Sequence, residues 1–278
     1  MKASPALRRL ARHGGARFGA VVVVVFAAVA ILAPWVAPYD PEAIALNRNL
    51  AAPSWGHPFG TDSLGRDVLS RTIWGARISL TIGFVSVGLA MVGGVPLGAL
   101  SAWRGGWPDR LVMRAVDVLL SFPTILLAIV VITIFGPGLG NAMLAIGVAQ
   151  VPLYARLTRA AVLRVKTQPF VEAARAAGAG EWRLLLRHAL PNCLPPLLVQ
   201  STLMFATAIL SAAYLGFLGL GAQPPTPEWG TMLAKARDFL RTAPHVSIFP
   251  GLTIMLTVLG LNLLGDGLRD VLDPQTPA

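Results

Sequence analysis

The chain has 278 residues, 55% of them hydrophobic and only 13% charged, with a formal net charge of +10 and a positive mean hydropathy. A soluble domain carries about 25% charged residues, so this composition excludes an ordinary water-soluble protein and points to a membrane. The positive charge does not argue for nucleic-acid binding, because the basic residues are split among many short segments and form no single patch.

Segments free of Asp, Glu, Lys and Arg run over 18–39, 78–103, 118–155, 188–227 and 242–265. Each reaches the roughly 20 residues a spanning helix needs, and charge is costly in hydrocarbon. The first contains VVVVVFAAVAILA after a basic start and so resembles a signal peptide. Its apolar run exceeds the roughly 7–15 residues of a signal core, and a retained helix over about 18–38 is expected. The second predicts a helix over 78–103. The third is long enough for two helices. The turn-forming run Gly136-Pro137-Gly138-Leu139-Gly140-Asn141 divides it into 116–136 and 139–156, the latter short and interrupted by Pro152. In the fourth, Pro191, Pro195 and Pro196 crowd one end and Gln223-Pro224-Pro225-Thr226-Pro227 the other, leaving 197–221. The last gives 246–266. The expected fold class is an all-α polytopic membrane protein with about six transmembrane helices.

Orientation follows from the retention of positive residues on the cytoplasmic side. With the amino terminus inside, sixteen of the 23 Lys and Arg are cytoplasmic: Lys2, Arg8, Arg9, Arg12, Arg17, Arg104, Arg110, Arg114, those from Arg156 to Arg187, and Arg269. Arg48, Arg66, Arg71, Arg77, Lys235, Arg237 and Arg241 face out. Both termini are therefore expected in the cytoplasm. Trp35, Tyr39, Trp74 and Trp229 near outer ends, and Trp103 and Trp107 near an inner one, read as interfacial anchors. The expected organisation is a 1–76 segment holding the cytoplasmic amino terminus, the first helix and an extracytoplasmic stretch; a transmembrane core over 77–267 with a cytoplasmic loop at 156–195; and a cytoplasmic tail at 268–278.

The chemistry is sparse. The acids close to a span, Asp117 and Asp266, fall at inner ends, so coupling to an ion gradient through a buried carboxylate is not expected. No phosphate-binding G-x-x-x-x-G-K-[ST], G-x-S-x-G elbow or H-E-x-x-H pair occurs. The four histidines (His13, His57, His188, His245) and the lone Cys193 do not stand at metal-ligand spacing, and Cys193 reads as a small packing residue. A secondary carrier or a membrane enzyme would lack any residue to assign as responsible. The energy for transport is expected from another chain.

The 156–195 loop contains EAARAAGAG at 172–180, a short alanine-rich, charged stretch with the look of a water-exposed helix. Pro169 suits a first helical turn, Glu172 the positive end of a helix dipole, the alanines helix propagation and Gly178 termination. A helix of about ten residues is marginal alone, so it must dock. Phe170 reads as an anchor, the Glu172–Arg175 pair as a solvated edge, and Ala173, Ala174, Ala176 and Ala177 as permitting close approach. A second pattern, GEWRLLLRHALP, puts Trp182, Leu185, Leu186 and Ala189 on one face and Arg183 and Arg187 on another. On these residues alone, an amphipathic loop lying on lipid stays equally open.

Glu172-Ala173-Ala174, three residues, Gly178, nine residues, His188-Ala189, then Leu190-Pro191 resembles the EAA motif of ABC importer permeases, E-A-A-x3-G-x9-I-x-L-P. His188 departs from the general Ile, although RH-x-LPN is similar to the dipeptide, oligopeptide and nickel branch. HPFGTDSLGRDVLSRTIWGARISL at 57–80, FLGLGAQPPTPEWGTML at 217–233 and FPGLTIMLTVLGLNLLGDGLRDVLDP at 249–274 resemble the same branch.

The resemblance implies a type I ABC importer permease fold and the C-type half of a heterodimer in a bacterial or archaeal cytoplasmic membrane. It further implies a B-type sibling, two cytoplasmic ATPases that bind ATP and Mg, and an extracytoplasmic solute-binding protein, with peptides as the leading substrate and nickel chelates the alternative. It also implies that a helix from about Phe170 to Ala177 couples to an ATPase, with Glu172, Ala173, Ala174, Ala177 and Gly178 in or beside it and Leu190-Pro191 setting the return to the fifth span. At Ala212 many relatives carry an acid, so anything that acid does for gating is in doubt in this chain. For the substrate pathway the candidates are the uncharged polar residues Gln150, Gln200, Ser201, Thr202, Thr207, Ser211 and Asn262, which serve equally as interhelical contacts.

Overall fold

A computed structural model describes residues 14–272. Lys2, Arg8, Arg9, Arg12, His13 and the tail from Asp273 lie outside the described residues. Nine helices organise the described chain: α1 (Gly14–Val36), α2 (Val68–Arg104), α3 (Gly106–Leu120), α4 (Thr124–Phe135), α5 (Leu139–Lys166), α6 (Pro169–Ala176), α7 (Glu181–Phe217), α8 (Trp229–Ala236) and α9 (His245–Leu272). They make six passages between two ends. One end is capped by residues 37–67; the other carries the 167–180 turn and Gly105.

Among the described residues, α1, α2, α7 and α9 are long and apolar enough to cross a membrane, and α3 with α4 passes together as one bent crossing. The sixth passage, α5, carries Arg156, Arg159, Arg164 and Lys166 in its second half, which extends past the apolar zone. The all-α polytopic expectation therefore stands, with altered bounds. The helix expected over 78–103 begins ten residues earlier, because Asp67 caps α2 by accepting the Ser70 N–H at 2.7 Å.

The continuous helix expected over 116–136 does not form. Its place is taken by a 94° bend between α3 and α4. Pro123 disfavours helical geometry at Phe122 and brings no N–H of its own. It instead starts α4, its carbonyl accepting the Leu126 N–H at 2.9 Å.

The helix expected over 197–221 starts at Glu181 instead, and runs through Pro191, Pro195 and Pro196. Residues Leu184–Ala189 adopt a π-helical register, so that the Leu190 N–H reaches back five residues to the Leu185 carbonyl at the turn preceding Pro191. Pro191, the next residue, has no N–H to contribute to the ladder. Asn192 Nδ2 donates to the His188 carbonyl at 2.6 Å, supplying a partner within this stretch.

The core sits where α2 and α5 approach closely. A side chain at Gly94 or Gly98 would collide with Tyr154 or with the backbone at Ala155, the small-residue contact by which helices associate in lipid. Trp229 is fully buried, its Nε1 donating to the Thr72 carbonyl at 3.0 Å, and Trp103 is also buried. Neither is the lipid-facing anchor expected of it, whereas Trp35 and Trp107 are exposed.

Residues 37–67 form a dense polar cap. The Asp62 carboxylate accepts the Leu64 N–H at 2.9 Å, the Arg66 N–H at 3.0 Å and Arg66 Nε at 2.8 Å, and lies 3.7 Å from Arg71 Nε. Arg71 also donates to the Pro41 carbonyl at 2.7 Å. Asp67, the cap of α2, meets His57 Nδ1 at 2.9 Å. Asp62, Arg66, Asp67 and Arg71 are all buried, and each has a charged or hydrogen-bonding partner, as burial of charge requires.

Candidate functional site

The 167–180 turn joins the two long helices α5 and α7. Gln168 stands at the cap position and Pro169 at the first turn of α6, where a missing N–H costs nothing. The helix ends as Gly178 predicts. The Gly178 N–H reaches the Arg175 carbonyl at 2.9 Å and the Ala179 N–H the Ala174 carbonyl at 3.1 Å, the paired closure of a Schellman motif. Gly178 has φ +85°, a left-handed conformation that a side chain disfavours. Open space surrounds it, so the demand for glycine here comes from the backbone alone.

Only Val171 of α6 is buried, at 0% exposure, with Ala174 half-buried beside it. Phe170, Glu172, Ala173, Arg175 and Ala176 are exposed, as is Ala177 at the cap. Val171 belongs to the cluster that includes Val165, Leu184, Leu185 and Trp103. Thus Val171, with Ala174 partly covered beside it, seats α6 on its own protein, and the faces carrying Phe170, Glu172, Ala173 and Ala176 are open. Sequence reasoning stressed the alanines and passed over Val171. Its signal was its place as the β-branched residue of PFVEAARA three positions before Ala174, one helical turn along the same face.

Two contacts differ from expectation. Arg175 does not pair with Glu172; the turn at Gly178 brings the chain back so that Arg175 Nε lies 3.4 Å from Glu181 Oε1. In the return segment the buried residues are Leu184, Leu185 and Ala189, while Trp182 and Leu186 are exposed. The π-helical register rotates the expected face away from Trp182 and Leu186. Leu190 is half-buried and Pro191 exposed, both within α7, nine and ten residues beyond its start.

The same end is clamped by ion pairs that sequence reasoning did not assemble. Asp109 of α3 accepts Arg159 Nε and a terminal guanidinium N–H of α5, both at 2.7 Å, and bonds Ser101 of α2. Asp117 of α3 pairs with Arg156.

The pathway candidates do not gather on one surface. Gln150 is buried, its Nε2 3.5 Å from the Met204 carbonyl and its Oε1 without a hydrogen-bond partner. Ser201 accepts from the Tyr154 hydroxyl at 2.9 Å and donates to the Leu197 carbonyl, so it joins α5 to α7. Thr202 and Thr207 donate to carbonyls of their own helix. Ser211 is buried, and Gln200 and Asn262 are half-buried. Ala212 is buried among Ile82, Ala208 and Leu215.

A bundle of apolar helices with a small helix held outside it on a turn is the plan of a membrane transport subunit. Residues 94–276 match the family described as binding-protein-dependent transport system inner membrane component, and residues 4–53 match the N-terminal TM domain of oligopeptide transport permease C. The chain is 51% identical over 271 residues to the di/tripeptide transport system permease protein DppC of Pseudomonas aeruginosa, covering 95% of this chain and 89% of that one. It is 50% identical over 269 residues to the glutathione transport system permease protein GsiD of Escherichia coli O157:H7, covering 96% and 89%. Among solved structures it resembles a chain of the inward-facing MetNI methionine ABC transporter, with a TM-score of 0.61 and 26% identity over 73% of this chain and 96% of that one.

The chain belongs to the family of binding-protein-dependent transport system inner membrane components and is a permease subunit of an ABC importer, a transport protein and not an enzyme. Membership implies a membrane and ATPase partners.

Proposed function

We propose that this chain is the C-type half of a heterodimeric importer of di- and tripeptides in a bacterial or archaeal inner membrane. In this reading α6 is the coupling helix through which a separate ATPase, binding ATP and Mg, drives the gate. The observation that carries the reading is the exposure of Phe170, Glu172, Ala173 and Ala177 around a single buried Val171. A short helix with one attached side offers the remainder to a partner. In this reading the 1–76 segment holds the cytoplasmic amino terminus, α1 and an extracytoplasmic stretch that ends where α2 starts at Val68, the transmembrane core runs on to 267, and α6, both termini and the 268–278 tail lie on the cytoplasmic side. An extracytoplasmic binding protein delivers solute at the capped end, and a B-type sibling completes the passage. The substrate class is carried over from relatives named for di/tripeptide and glutathione transport.

Within the passage, Gln150 and Ser211 are enclosed by this chain and the hydroxyls of Ser201 and Thr207 serve helix carbonyls. The half-buried amides Gln200 and Asn262 are therefore the polar residues retained here as lining candidates.

The test is reconstitution of the chain with its sibling, ATPases and binding protein in proteoliposomes. Uptake of labelled di- and tripeptides is expected to require ATP and binding protein, and Ala173→Cys to cross-link to an ATPase subunit. Gly178→Asp is expected to abolish uptake and stimulated ATP hydrolysis while the protein still reaches the membrane. Uptake by this chain alone under an ion gradient would refute the reading, as would full transport by Gly178→Asp.

A further inference from the structure

Both flanks of α6 are fastened to one residue outside the loop. On the entering side, Lys166 closes α5 and its Nζ donates to the Trp103 carbonyl at 2.6 Å and reaches the Ala102 carbonyl at 3.4 Å. The same ammonium lies 5.2 Å from the centre of the Trp103 ring, a cation–π distance. On the leaving side, Trp103 Nε1 donates to Glu181 Oε2 at 2.9 Å, and the other oxygen of that carboxylate meets Arg175 of α6 at 3.4 Å. The Trp103 indole is buried and shares an apolar cluster with Val171, the residue beneath α6. Trp103 is the penultimate residue of α2, the passage that makes the close seam with α5.

We propose that Trp103 and Glu181 are positioning residues for coupling: they lock α6 to the end of α2, so that displacement of α6 is delivered to α2 as well as to α5 and α7. The chain connects α6 covalently only to α5 and α7. Without a lock, a turn of a few residues on each side would let α6 tilt while α2 stayed behind. The polar contacts at Arg175 and Glu181 are solvent-exposed and add little to stability. Their contribution is to fix orientation, since Val171 and Arg175 through Glu181 hold α6 at two points while Lys166 holds the end of α5 that leads into it, which a single apolar contact does not do.

The inference rests on the reading of α6 as the coupling helix, and the experiment separates the two. In the reconstituted complex, peptides imported per ATP hydrolysed is measured for Trp103→Phe, which keeps a ring for Lys166 and the cluster but has no N–H donor, and for Glu181→Ala. The Ala173→Cys cross-link is measured in the same backgrounds. The expected result is a preserved cross-link and preserved ATP turnover, with import per ATP lowered about two- to thirty-fold, the range of coupling changes seen for residues that touch neither ligand. Glu181→Gln, which keeps an acceptor for Trp103, is expected to recover part of the loss. An unchanged import ratio in both Trp103→Phe and Glu181→Ala would overturn the lock. Absence of the cross-link when Ala173→Cys is the sole substitution would overturn the coupling reading itself. Should Trp103→Phe fail to assemble, Glu181→Ala, at an exposed side chain, decides alone.

Discussion

The two ends of the molecule are built on opposite plans. At the capped end, Asp62, Arg66, Asp67 and Arg71 are buried, and their charges are met by one another or by backbone groups such as the Pro41 carbonyl. At the 167–180 end Asp109 is buried against Arg159, but the charges of α6 itself, Glu172 and Arg175, are exposed, and the helix is seated by Val171 with Ala174 beside it. Burial of charge is tolerable only with full pairing, so the cap is internally complete and gains nothing from deformation. The loop end leaves its polar and apolar surface open, so its final form depends on what it meets. A gate driven from one side requires this asymmetry: a firm end and an end that yields to a partner.

The strongest way to break the comparison is to damage the cap. Asp62→Asn removes the charge that faces both Arg66 and Arg71 and leaves two buried guanidinium groups with poorer partners. Breaking a buried pair costs about 3–5 kcal/mol, so a large fall in melting temperature in detergent and a low membrane level are expected. The matching change at the other end, Glu172→Gln on an exposed side chain, is expected to stay within about 0.5 kcal/mol. Equal losses at both ends would show that the two are not built differently.

A smaller effect sharpens the account of the loop. Val171→Ala withdraws most of the apolar contact beneath α6, worth about 1–3 kcal/mol. Because an eight-residue helix is marginal without docking, the loss should be local. Faster hydrogen exchange over 169–177, with a nearly unchanged global melting temperature, is the expected pattern. A cooperative loss of the whole bundle's stability would mean that Val171 supports the bundle as well as α6. The same geometry redirects a mutation at Ala174. This residue is half-buried against its own chain, so a bulky substitution there lifts α6 from its seat. Ala173, exposed, is the cleaner probe of a partner's surface.

Much of this was legible in the sequence for physical reasons. Charge-free runs report the cost of charge in hydrocarbon, and those at 18–39, 78–103 and 242–265 fall almost wholly within α1, α2 and α9. Pro169 and Gly178 fixed both ends of α6, because each residue has a backbone property that no neighbour shares. What the runs could not report was direction. The bend at Ser121-Phe122-Pro123 lies at the edge of an apolar run that looks uninterrupted, and one proline within such a run does not distinguish a tolerated kink from a 94° turn. The converse error arose at Pro191, Pro195 and Pro196, where three prolines read as a helix boundary, while the π-helical register at Leu184–Ala189 carries α7 into them. The Arg175–Glu181 pair was hidden because sequence spacing suggests partners on one helix, three or four residues apart. The reversal at Gly178 makes a partner six residues away the nearer one. The Trp103 contacts join residues 63 and 78 positions apart, which no local pattern encodes.

The finest test of the firm end concerns a further buried acid outside the spans. Glu228 caps α8, accepting the Gly230 and Thr231 N–H groups at 2.8 Å each, and is 2% exposed. Burial raises its pKa above the ordinary value of 4.5, although the backbone N–H groups oppose the shift. A carboxyl whose folded pKa exceeds its unfolded pKa holds its proton more tightly in the native state. Unfolding then releases protons, and stability falls as pH rises. The contribution of the protonated form is complete below about pH 4.5 and is lost as pH climbs from the unfolded value through the raised folded one. Glu228→Gln cannot titrate and retains one carbonyl oxygen for the two N–H groups, so it should be less stable than the native chain at the acidic end. Its disadvantage should shrink as pH increases. Melting curves of both proteins over a pH series check this: converging stabilities are expected, whereas parallel ones would mean that Glu228 is solvated and that the cap admits water where the structure closes it.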